Sequence, residues 1–173
     1  MIYPFICAIL PEINPSREPA MTLDEFDGLV QEELSAKRFE QLRFWDNGKR
    51  GVKVYDDMHS FLEYLNFRIA RIRAEKLNFP ANFPEPDEFY GEVDYALASA
   101  VSAEPLERER MVDAACWRKL DDLETGHEMD FEYLCIYRIR LGLLQKYSGR
   151  NEESGRKNFE AALEKLAAVF NEQ

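Results

Sequence analysis

A chain of 173 residues with 46% apolar and 32% charged side chains has the length of one domain and too much hydrophobic content for general disorder. Its formal charge of −11 argues against a nucleic-acid or anionic-lipid partner, since both call for a surplus of lysine and arginine. Cys7, Cys116 and Cys135 are odd in number, far apart and set in apolar sequence, the pattern of buried, reduced thiols in a cytoplasmic protein.

Residues 2–10, IYPFICAIL, mix β-branched and aromatic side chains and stop at Pro11, which predicts a short extended N-terminal arm. The stretch lacks a basic leader and a small-residue cleavage site and is too short to cross a bilayer, so neither export nor direct membrane insertion is expected. Thr22, followed three residues later by Glu25, forms a capping box ahead of a helix whose apolar stripe is Phe26, Leu29, Val30 and Leu34. Ser35 caps a second short helix carrying Phe39, Leu42 and Trp45, and Asn47-Gly48 then turns the chain. Residues 52–55, VKVY, suit either a brief strand or the lead-in to the next helix. That helix begins at Asp56 or Asp57 and runs to Leu77, with Met58, Phe61, Leu62, Leu65, Ile69 and Ile72 on one face.

Pro80, Pro84 and Pro86 end it. The whole chain reads as one helical domain with a candidate hinge at 78–86, between an N-terminal part (1–77) and a C-terminal part (87–173). A helix over 87–101 points Phe89, Val93, Leu97 and Ala100 inward, and Pro105 opens the following one. After a break at Gly126, residues 131–147 are apolar almost all round and predict the most buried element. A last helix over 152–172 carries Phe159, Ala162, Leu163, Leu166 and Phe170 on one side. The fold class is all-α, an irregular bundle of six to seven helices with a short extended arm.

Chemistry is sparse. His59 and His127 have no second histidine or cysteine at ligand spacing, so neither a metal nor a cofactor is expected. No phosphate loop or nucleophile motif occurs, and no catalytic residue is assigned. The unusual stretch is LERERMVDAACWRKLDDL, residues 106–123. Helical spacing places Glu109, Arg110 and Asp113 on the side that carries Leu106, Cys116, Trp117 and Leu120. Arg138 and Arg140, on the next helix, sit among apolar neighbours and require counter-charges. Helices joined by a short turn pack antiparallel. The expected arrangement is therefore an internal charge cluster of Glu109, Arg110, Asp113, Arg138 and Arg140, covered by Trp117. A partner-docking site and a catalytic carboxylate are the competing readings. A second feature is the flank of Tyr64, Phe67, Arg68 and Arg71, which fits either a partner interface or a surface covered by a neighbouring helix.

Three stretches resemble an uncharacterised bacterial family. YPFICAILPEI is similar to its Tyr-x-x-Leu-x-x-x-Leu-Pro opening, and FLEYLNFRIARIRAEKL to its helix leading into Arg-x-x-Lys-Leu. Residues 105–159 are similar to its ordered pattern of Glu-Arg-Glu, Asp, Trp, Leu-Asp-Glu, Phe-Asp, Tyr, Lys-Leu and Gly. Arg140 stands in the lysine position, which keeps the charge, and Tyr147 stands where the family often has tryptophan. Genes of this family accompany those of bacterial V/A-type ATPases. The resemblance implies a non-catalytic accessory or coupling component, similar to a shortened form of the helical protein that seats the central stalk on the rotor ring. Such a component touches the stalk or the ring and is held at the membrane periphery through that complex. A free-standing helical adaptor is the alternative, and an enzyme using a buried carboxylate as general base is a weaker one.

Overall fold

The computed structural model describes residues 2–80, 83–100, 105–148, 156–157 and 160–161, the side chains at 105, 106 and 148 excepted. The expected helix over 152–172 lies outside the described residues, apart from the helical pieces at 156–157 and 160–161, as does the side chain of Leu106.

The fold is all-α. Thr22 accepts a hydrogen bond from the Glu25 backbone N–H while the Glu25 carboxylate accepts from Thr22 N–H at 2.7 Å. This capping box starts a helix over Leu23–Gln31 that buries Phe26 and Val30. Ser35 caps the next, over Ala36–Leu42, and a 3-10 turn at Trp45–Asn47 follows, closed by left-handed Gly48. Ahead of these, residues 4–9 depart from the extended arm expected over 2–10. They form a helix (α1, Pro4–Ile9), with proline in the first turn, where no N–H is needed. With α1 counted, the capped helices are α2 and α3. Only Ile2 keeps extended pairing, as an isolated bridge to Asp130.

Residues 53–55 are the first turn of α4 (Lys53–Lys76), three or four residues earlier than the expected start at Asp56 or Asp57. Val54 and Tyr55 share a buried face with Met58 and Phe61, so packing overrides the strand preference of VKVY. The helix ends in a Schellman arrangement. Asn78 is left-handed (φ 50°), the Phe79 N–H bonds to Ala74 C=O, and the Asn78 N–H bonds to Glu75 C=O.

α5 (Gly91–Ala100) begins four residues later than expected. Phe89 therefore precedes the helix and is exposed. Tyr90 takes the inward place, with its ring 5.4 Å from Phe61 and 5.8 Å from Tyr64. α6 (Pro105–Glu124) ends near left-handed Gly126, and α7 (Phe131–Ser148) starts at Asp130, whose carboxylate accepts from Tyr133 N–H.

α7 is buried on every side, through Phe131, Leu134, Ile136, Ile139 and Leu141. It packs on α2, α4 and α6. One core joins Phe26, Leu42, Phe61 and Leu65 to Val93, Leu97 and Leu120, so residues from both sides of 78–86 share it. Burying each such aliphatic or aromatic side chain contributes about 1.5–3 kcal/mol.

Candidate functional site

Arg138 is 4% exposed, in the middle of α7. Its Nε and Nη2 donate to the two Asp27 oxygens at 2.9 Å each, and its Nη1 and Nη2 donate to Asp46 at 2.7 and 3.0 Å. Two carboxylates thus occupy both forks of one guanidinium, the geometry in which arginine bonds most strongly. Burial alone would lower the Arg138 pKa, but the hydrogen bonds and charges of Asp27 and Asp46 outweigh it and hold the pKa above its ordinary value. The clamp ties α7 to α2 and to the 3-10 turn.

Arg140, two residues along, faces α6. Its Nη2 lies 2.5 Å from Asp121 and 2.7 Å from Glu124, and its guanidinium lies 5.6 Å from the Trp117 ring centre. A third clamp joins α4 to α5. Arg68 meets Asp94 at 2.5 Å, and the Tyr64 hydroxyl donates to the other Asp94 oxygen at 3.0 Å.

The cluster expected from sequence is thereby divided. Arg138 and Arg140 are neutralised inside the fold and Trp117 lies beside Arg140, but the carboxylates holding them are Asp27, Asp46, Asp121 and Glu124 in place of Glu109 and Asp113. The short turn after α6 sets this register. Arg140 comes level with Trp117 and reaches toward the turn, leaving Asp113 one helical turn beyond Trp117. Glu109 and Arg110 are exposed and Asp113 is half-buried. The α6 face that buries Cys116 and Leu120 opens, earlier in the helix, onto two clefts of about 690 and 390 Å³, both bordered by Glu109 and Asp113. Losing Asp27 and Asp46, rather than Asp113, is therefore what strands the buried Arg138.

The flank offered as a partner surface is largely covered from within. Tyr64 is buried beneath Phe89 and Tyr90, and Arg68 is held by Asp94. Phe67 and Arg71 stay half-exposed at the edge of a groove with Phe79 and Phe83.

Other reactive groups are occupied or muted. Burial pushes the thiol of Cys116 up to about 11 and that of Cys135 to about 12, so neither is a thiolate nucleophile near neutrality. His127, Asp130 and Glu132 bring ligand-type atoms within 4.8 Å of one another. His127 Nδ1 and Asp130 Oδ2, however, already share a 2.6 Å hydrogen bond, and the other Asp130 oxygen caps α7. Tyr3 N–H donates to Met129 C=O in this turn and the Tyr137 hydroxyl of α7 donates to Pro11 C=O, so the turn and α7 together anchor the N-terminal arm.

Sequence reasoning missed Asp27, Asp46, Asp94, Asp121 and Glu124. Asp27 carried a readable sign, since it lies three residues before buried Val30 and shares its side of α2. Its pairing with a residue 111 positions away has no local signal.

No protein-family model, curated protein or solved structure matches this chain. No helix among the described residues is long and apolar enough to cross a membrane.

Proposed function

We propose that this chain is a non-catalytic helical component acting through protein–protein contacts, as an accessory or coupling part of a bacterial V/A-type ATPase that seats the central stalk on the rotor ring. The observation that carries the non-catalytic reading is the use of its inward-facing charges. Arg68, Arg138 and Arg140 are each bound by a carboxylate from another element: Arg68 ties α4 to α5, while Arg138 and Arg140 tie α2, the 3-10 turn and α6 to α7. A part that transmits force benefits from fixed helix register, and paired buried charges specify register better than they add stability. The ATPase assignment rests on the resemblance of residues 105–159.

Co-purification from detergent-solubilised native membranes tests it. Recovery of the chain with stalk or rotor proteins supports the coupling role. Recovery apart from them assigns the chain to the free-standing adaptor class. The cleft beside Asp113 favours one further reading, a general base acting on a bound substrate.

A further inference from the structure

The connector between α4 and α5 presents large apolar side chains to solvent that the core does not use. Leu77 is 77% exposed, Phe79 67% and Phe89 73%, with Phe83 also exposed. The Schellman turn at Asn78 normally tucks the following apolar residue against the helix end, yet here that residue, Phe79, stands out. The surface is continuous. Phe89 meets Tyr64 with ring centres 5.6 Å apart, Tyr64 meets Phe67 at 6.4 Å, and Phe67, Phe79 and Phe83 line one groove of about 370 Å³ with Arg71, Glu75 and Glu85.

The groove's charge specifies its occupant. Arg71 lies over the Phe67 ring and is shared by Glu75 at 3.8 Å and Glu85 at 3.5 Å, both exposed carboxylates in weak, replaceable pairs. From residue 75 to residue 94 the sequence has six acids (Glu75, Glu85, Asp87, Glu88, Glu92, Asp94) against one base, Lys76, and the groove itself is lined by two acids, Glu75 and Glu85, against Arg71. An aromatic floor with an acidic rim repels a second copy of itself and an anionic lipid surface, and it complements a cationic helix with one apolar face.

We infer that this groove receives a basic amphipathic helix of a protein partner, its apolar side chains entering between Phe67, Phe79 and Phe83 and its lysines or arginines facing Glu75 and Glu85. This deepens the protein-contact reading and rests on it, without depending on which complex supplies the partner.

The test is isothermal titration of the full chain with a synthetic leucine–lysine amphipathic helix, alongside a leucine–glutamate counterpart. The comparison variants are Phe79→Ser/Phe83→Ser and, as a control at the other exposed apolar patch, Ile2→Ser/Phe5→Ser. The inference predicts saturable binding of the lysine peptide, weakening as salt rises. It also predicts a loss of roughly tenfold in the Phe79/Phe83 variant, whose circular dichroism stays native, and little change in the control. No binding, equal binding by the glutamate peptide, or unchanged affinity in the Phe79/Phe83 variant overturns it. So does self-association in sedimentation that the same variant abolishes, which assigns the groove to a second copy. Peptide binding without ATPase co-purification keeps the groove and removes the ATPase. Co-purification without peptide binding does the reverse.

Discussion

His59 stacks on Trp45 with ring centres 4.6 Å apart, and its Nε2 is buried without a hydrogen-bond partner among the described residues. Burial lowers its pKa below 6.5, and nearby Arg50 lowers it further, while Glu63 and Asp56 oppose them more weakly. The unfolded chain therefore takes up this proton first as pH falls. Stability contributed by neutral His59 is complete above the unfolded pKa and is lost progressively below it, down to the folded pKa. Urea unfolding from pH 7 to about pH 5 should show the midpoint falling, and His59→Phe, which keeps a stacking ring without a proton site, should flatten that fall. An equal slope in both proteins would remove His59 as the cause. From sequence, this histidine stood out only as lacking a second ligand at metal-binding spacing. The stack was not legible because the chain folds Trp45 back over α4 through a turn whose path is set by tertiary contact.

At the scale of elements, local rules held where the determining contacts are local. The Thr22–Glu25 box, the Ser35 cap and the apolar periods of α2, α4 and α7 were all readable. Boundaries failed where burial outweighed propensity, as at Val54 and Tyr55, or where prolines obscured the first turn, as before α5. The charged face of α6 was misread for a similar reason. Spacing shows which residues share a face, but not how far along the helix its neighbour continues to cover that face. Because Arg138 and Arg140 are held by Asp27, Asp46, Asp121 and Glu124, Asp113→Asn strands neither of them and should unfold at a higher urea concentration than Asp27→Ala/Asp46→Ala. It should also leave co-purification intact. A variant that keeps fold and partners but loses the chain's cellular role would select the general-base reading.

For the whole molecule, the all-α class followed from composition and periodicity, whereas the contacts that brace the bundle did not. The need for counter-charges at Arg138 and Arg140 was legible, because an unpaired guanidinium among apolar residues is too costly to persist. Their identity was not, since Asp27 and Asp46 come from segments far away in sequence. The Arg138 clamp joins the N-terminal third of the chain to its central helix, and the reading of the charges as braces depends on it most.

Urea unfolding of Asp27→Ala/Asp46→Ala beside Arg138→Met measures this clamp most directly. The aspartate variant leaves a guanidinium that is 4% exposed without either carboxylate and should lose about 3–5 kcal/mol. Arg138→Met should lose distinctly less, because Asp27 and Asp46 are 18% and 39% exposed and hydrate once released. An aspartate variant that unfolds at the wild-type urea concentration would contradict the account.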